Sequence, residues 1–296
     1  MTRHHHIERD HFIRLNMNSP ENTAPEPELK DGFCAFLDIL GFTEYVKKNK
    51  GDNEAFKSAL TALKAARSTL KSPEELNLIK VKSFSDNVFI SLKFRQDLFL
   101  LTSLFEFICR YQNELIWHGH LVRGGVALGE IHVDDDTIYG MALIDAYEME
   151  SEKAVYPAVM VSEHIVEAAR TAQLVETSSC WSYQSNDWYF ISIDGKYYLN
   201  YLKSAFVFVT DKDSLYGNFL DVHFLRQHKE LIERNLKAFE PGTKTHKKYA
   251  FLADYHNAFC EQCKNREEYK SDLIIDLPGN EISFIQKKGF FHWHLR

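Results

Sequence analysis

The order of apolar patterns between residues 33 and 165 constrains this chain more than any other feature. "FCAFLDIL" (33–40) is apolar enough to be buried on both faces and reads as a strand that breaks at Gly41. "DNEAFKSALTALKAARSTL" (52–70) then places apolar residues at helical spacing. "NLIKVKSF" and "NVFISLKF" are strand patterns flanking the turn-forming "SDN", which predicts a hairpin. Residues 96–117 spell a helix, "HLVRGGVALGEIHV" a strand, "MALIDAYEMESEKA" a helix after the loop "DDDTIYG", and "YPAVMVS" a strand. This β-α-β-β-α-β-α-β order with an internal hairpin predicts a ferredoxin-like α/β (α+β) layer. Residues 1–30 are polar and proline-bearing and read as a flexible N-terminal segment, 31–165 as the core, and 166–296 as a C-terminal extension. The extension mixes short strands ("WYFISI", "KYYLNYL") with helical stretches at 213–238 and 246–266, and either wraps the same core or stands as a helical appendage.

Composition excludes some function classes. A net charge of −7 argues against nonspecific binding to nucleic acid or an anionic membrane, so a polyanionic substrate would need a local cation. Five cysteines (Cys34, Cys109, Cys180, Cys260, Cys263) with no signal peptide pattern read as reduced thiols in the cytoplasm. "LFLLTSLFEFI" (98–108) is too short to cross a bilayer, and no direct membrane contact is expected. "CEQC" (260–263) has no second cysteine pair and reads as part of a helix, "VDDD" (133–136) as a solvated loop, and "RHHH" as a solvated tail.

Within the first strand stands one carboxylate, Asp38. Burying it costs several kcal/mol unless a cation or hydrogen bonds satisfy it, so it either caps the helix starting near Thr43 or holds a metal. Asp86 lies in the predicted hairpin turn and reads alone as a turn residue. In a ferredoxin-like sheet the end of the first strand lies beside the central hairpin turn. The two carboxylates would then converge, with the Ile39 carbonyl as a further oxygen ligand suited to Mg²⁺ or Mn²⁺. Two such ions suit in-line attack at phosphorus.

"FLDILGFT", "KSFSDNVF", "VRGGVALGE" and "TIYGMALIDAYEMES" resemble, in order and spacing, the class III nucleotidyl cyclases. "AFLDILGF", "RGG" and "YGMALIDAYEMESEKAVYP" are similar to the pyrimidine cyclases of the bacterial Pycsar antiphage system. The resemblance covers residues 33–162, with a weaker echo in "KYAFLADYHNAF" (248–259), and implies that Asp38 and Asp86, with the Ile39 carbonyl, hold two Mn²⁺ or Mg²⁺ ions. It implies that Phe36 approaches the nucleotide, that the peptide groups at Gly41 and Phe42 cradle phosphate, and that Arg123 is a candidate cation for the triphosphate or a structural ion pair. Lys82 and Thr137 fall where the purine cyclases read their base, and match neither the adenylyl nor the guanylyl pairing. Ile144 and Glu148 fall where those enzymes carry an Asn and a transition-state Arg, so another cation, or metals and positioning, must act. The implied function is conversion of UTP to cyclic UMP, or of CTP to cyclic CMP. The implied setting is a homodimer whose product gates a downstream effector in antiphage defence. Readings kept beside it are an ATP or GTP cyclase and a silent nucleotide-binding module.

Overall fold

In the computed structural model, which describes residues 28–70, 79–93, 99–171, 189–193, 195–211, 214–277, 283–287 and 290–294, the first apolar run becomes strand β1 (Lys30–Ile39). Alternation along this strand sends Phe33, Ala35, Leu37 and Ile39 into the main core, while Cys34 and Phe36 join a smaller one on the opposite face. Two helices follow, α1 (Phe42–Lys48), where one was expected to start near Thr43, and α2 (Asn53–Ser68), where apolar residues recur at helical spacing. The Asp52 carboxylate accepts from the N–H groups of Glu54 and Ala55, and α2 buries Ala59, Ala62 and Ala66 along one stripe. The predicted hairpin is β2 (Ile79–Phe84) and β3 (Asn87–Lys93), closed by Ser85 and Asp86, with Ser85 at φ 55°. Then come α3 (Phe99–Trp117), β4 (Val122–Val133), the short β5 (Ile138–Tyr139) and α4 (Met141–Glu148). A π-turn over Met149–Lys153 continues α4, closed by the Ala154 N–H on the Met149 carbonyl. β6 (Val159–Val161) and α5 (Glu163–Thr171) complete this half. The order β4-β1-β3-β2, with β1 antiparallel to both neighbours, is the ferredoxin-like arrangement expected from the sequence.

The extension begins with β7 (Phe190–Ile193), β8 (Lys196–Leu199) and a 3₁₀ turn at Tyr201–Ala205. Residues 213–238 are not one helix: β9 (Phe206–Asp211) and β10 (Ser214–Leu220) form a ribbon, and the helix α6 (Val222–Ala238) starts only after Asp221 caps it. α7 (Lys244–Cys263) and a hairpin of β11 (Ser283–Lys287) and β12 (Phe290–His294) end the fold. The main sheet runs β11-β12-β7-β8-β6-β4-β1-β3-β2, with β5 paired to β4, so strands before and after residue 165 share it. α6 packs against both α7 and α3, meeting α3 where Trp117 faces Phe224 at 6.1 Å between ring centroids.

Three buried polar side chains chain through the α6–α7 seam. His256 Nε2 lies 2.9 Å from the Leu273 carbonyl, which only accepts, so this nitrogen carries the proton. His256 Nδ1 then accepts from His228 Nδ1 at 3.0 Å, and His228 Nε2 accepts from the Tyr201 hydroxyl at 2.8 Å. Burial lowers both imidazoles, His256 to about 4. Cys260 and Cys263 are buried free thiols beside this chain, as are Cys34 and Cys109 elsewhere; Cys180 and "RHHH" lie outside the described residues. Among the described residues no helix is long and apolar enough to cross a membrane.

Candidate active site

One end of the sheet gathers the last residues of β1, the first of β4 and the β2–β3 turn. Asp38 pairs in register with Arg123 across β1 and β4, so both side chains leave the same sheet face. The Leu40 N–H bonds the Leu121 carbonyl at 2.8 Å, so even-numbered peptides of β1 face β4. The Ile39 carbonyl therefore faces the β3 side. There the ladder stops at Leu37↔Val88, and the same register would set Ile39 opposite Asp86. An Arg67 guanidinium nitrogen donates to the Ser85 carbonyl at 2.5 Å and ties the turn to α2.

The Asp38 and Asp86 carboxyl groups are near neighbours. Burial, then the charges of Glu150 and Asp86, push the Asp38 carboxyl up to about 7, while Arg123 acts in the other direction. Asp38 does not cap α1: the cap position is Gly41 at φ 74°, and no side chain caps that helix. Asp86 is a turn residue and also a neighbour of Asp38.

Glu150 is the functional-site residue that the sequence reading missed. It is buried at 4 % exposure and forms a close ion pair with Arg123, whose guanidinium lies 3.8 Å from Asp38. Arg123 is thus held as a structural ion pair rather than left open. Its signal was present in the spacing: Ala142, Ala146 and Glu150 recur every fourth residue, putting a carboxylate on a buried stripe that needs a cation. Gly125 admits this stripe, since a Cβ there would collide with the Ala146 carbonyl and the Met149 side chain. Glu148 pairs with Lys153 at 3.6 Å, and Ile144 is exposed on α4.

Lys82 and Thr137, distant in sequence, meet directly, with Lys82 Nζ donating to the Thr137 carbonyl at 3.3 Å. Asp134 shapes that loop by accepting from the N–H groups of Asp136 and Thr137 and from His132, bonds that hold its carboxyl down at about 2. Phe36 is half-buried and meets Tyr147 edge to face at 5.4 Å, so part of its ring is already covered. Gly41 is exposed, and the Phe42 ring packs against the main core.

No protein-family model matches this chain, and no curated protein matches it. Solved structures do. The guanylyl cyclase domain of the RhoGC fusion protein from the aquatic fungus Blastocladiella emersonii aligns at 14% identity and a TM-score of 0.37, covering 57% of this chain and 94% of that one. The adenylyl cyclase CyaB from P. aeruginosa aligns at 13% identity and a TM-score of 0.35, over 64% and 99% of the two chains. A class III adenylyl cyclase-like ATP-binding protein from Pseudomonas aeruginosa aligns at 10% identity and a TM-score of 0.38, over 51% and 37%.

The donor set fits hard divalent ions: two carboxylates and a peptide carbonyl at one partly open corner, where the carboxylates repel one another. Among the described residues no group of three or more His, Cys, Asp and Glu is arranged to hold a metal.

Proposed function

We propose that this chain is a nucleotidyl cyclase acting on a pyrimidine nucleoside triphosphate, UTP in preference to CTP. The observation that carries the reading is the convergence of Asp38 and Asp86, from separate elements, beside the Ile39 carbonyl. The 3′-hydroxyl gives its proton to solvent and attacks the α-phosphorus in line, the bond from that phosphorus to the bridging β-phosphate oxygen breaks, and pyrophosphate leaves as the 3′,5′-cyclic monophosphate closes. Asp38, Asp86 and the Ile39 carbonyl would hold two Mn²⁺ or Mg²⁺ ions, which supply charge neutralisation and an activated 3′-oxygen. Lys82 and Thr137 border the base, and Phe36, Gly41 and Phe42 border the sugar and phosphates. A homodimer is supported by the exposed apolar line Met141, Ile144 and Tyr147 on α4. The cyclic product gates an effector in antiphage defence, on the strength of the motif resemblance.

The test incubates purified protein separately with ATP, GTP, CTP and UTP in Mn²⁺ and resolves products by chromatography and mass. A cyclic monophosphate from UTP or CTP alone supports the reading, and Asp86→Asn should lower that turnover at least about a hundredfold with the fold intact. Product from ATP or GTP alone moves the substrate to a purine. Engagement of Arg123 by Glu150 favours a second reading, a nucleotide-binding module without turnover, which binding without product would support.

A further inference from the structure

The triphosphate needs a cation that Arg123, paired with Glu150 and close to Asp38, does not by itself provide. The topology points to where one stands. Across the strand ends the charges run Asp86, Asp38, Arg123, at roughly 5 Å per strand. Beyond β4 lies β6, paired through Gly124↔Val159, so the segment preceding β6 flanks Arg123. In that segment Tyr156 stacks on Phe251 of α7 at 4.0 Å and 24° between ring planes. Lys248 lies one turn before Phe251, on the face that buries Phe251 and Leu252. It is half-buried, and burial together with the positive charge of Arg123 lowers its pKa. No carboxylate among the described residues pairs with Lys248. A cation kept half out of water beside a second cation, with no carboxylate partner among the described residues, marks a place for an anionic ligand.

We propose that Lys248 binds the outer phosphates of the substrate, while the α-phosphate lies at Asp38 and Asp86. This rests on the triphosphate reading of the site and extends it. The two carboxylates hold the end of the polyphosphate that reacts, Arg123 stands midway, and a lysine from the C-terminal extension holds the leaving pyrophosphate. The extension would then complete the site rather than merely cover it.

The experiment titrates inorganic tripolyphosphate and UMP, each in Mn²⁺, into wild type, Lys248→Met and Lys248→Arg, and measures KM and kcat for UTP in the same proteins. Methionine keeps the apolar stem against α7 and removes the charge. Loss of one charge-assisted contact should weaken tripolyphosphate binding and raise the UTP KM by about tenfold in Lys248→Met. UMP affinity should stay within about twofold, and Lys248→Arg should recover most of the loss. Unchanged tripolyphosphate affinity in Lys248→Met, equal loss of UMP, or an arginine variant as weak as methionine would overturn the assignment while wild-type turnover stands. A wild type that neither binds tripolyphosphate nor turns over any nucleoside triphosphate would overturn the reading of the whole site, and Lys248 with it.

Discussion

Lys82 and Thr137 meet through an amine and a peptide carbonyl, so in the proposed site the two positions would contribute unequally to base choice. Thr137→Ala keeps the carbonyl that Lys82 uses, whereas Lys82→Met removes the donor. Lys82→Met should change the ratio of kcat/KM among the four nucleoside triphosphates by about tenfold, and Thr137→Ala by no more than about twofold. Equal effects from the two would mean that the Thr137 hydroxyl, not the Lys82 tether, meets the base. At this scale Asp38 and Asp86 were legible, because a carboxylate in an apolar strand and one in a hairpin turn are local patterns. Glu150 was harder. Its burial depends on Arg123 arriving from β4, and nothing in the spacing along one helix names the partner across the sheet. Lys248 opens "KYAFLADYHNAF" (248–259), where the family resemblance is weak, and nothing local there names a phosphate ligand; α7 reaches the segment before β6 only through tertiary packing.

At the scale of elements, α4 and its π-turn are set against β4 by the lack of a side chain at Gly125. Gly125→Ala should destabilise the protein by about 2 kcal/mol in urea unfolding and lower turnover as Glu150 and Arg123 shift. Gly129→Ala, whose Cβ would come no nearer than 3.4 Å to Ala142, is the control and should stay within about 1 kcal/mol. Equal losses would show that close approach to Ala146 and Met149 is not what excludes a side chain at Gly125. Helices and strands of the first half were readable because periods of 3.6 and 2 are set by their own buried faces. The stretch 213–238 misled because β10 owes its extended form to pairing with β9, and only the Asp221 cap marks where helix replaces strand. The π-turn was also invisible, since its sequence continues the helical composition of α4.

For the molecule as a whole, acid should act on the Tyr201–His228–His256 chain, in which every proton already has a place. Both imidazoles titrate below the unfolded value of about 6.5. Their contribution to stability is present above that value and fades as pH falls from about 6.5 toward the lowered folded values, about 4 for His256. Asp38 and Asp254, both raised to about 7, act with the opposite sign over the same window, so the net slope alone is a poor probe. Nitrogen spectra of labelled histidines are direct: at pH 5.5 both rings should be neutral, with the proton on Nδ1 of His228 and on Nε2 of His256. A doubly protonated ring on either residue would refute the assigned chain. The strand order carries a different consequence, for the chain as it leaves the ribosome. β1, β2, β3 and β4 can pair as soon as they emerge, but β6, ending at Val161, then presents a bare edge until β8, starting at Lys196, is made. Until then the half-made protein offers neighbouring nascent chains a template for pairing.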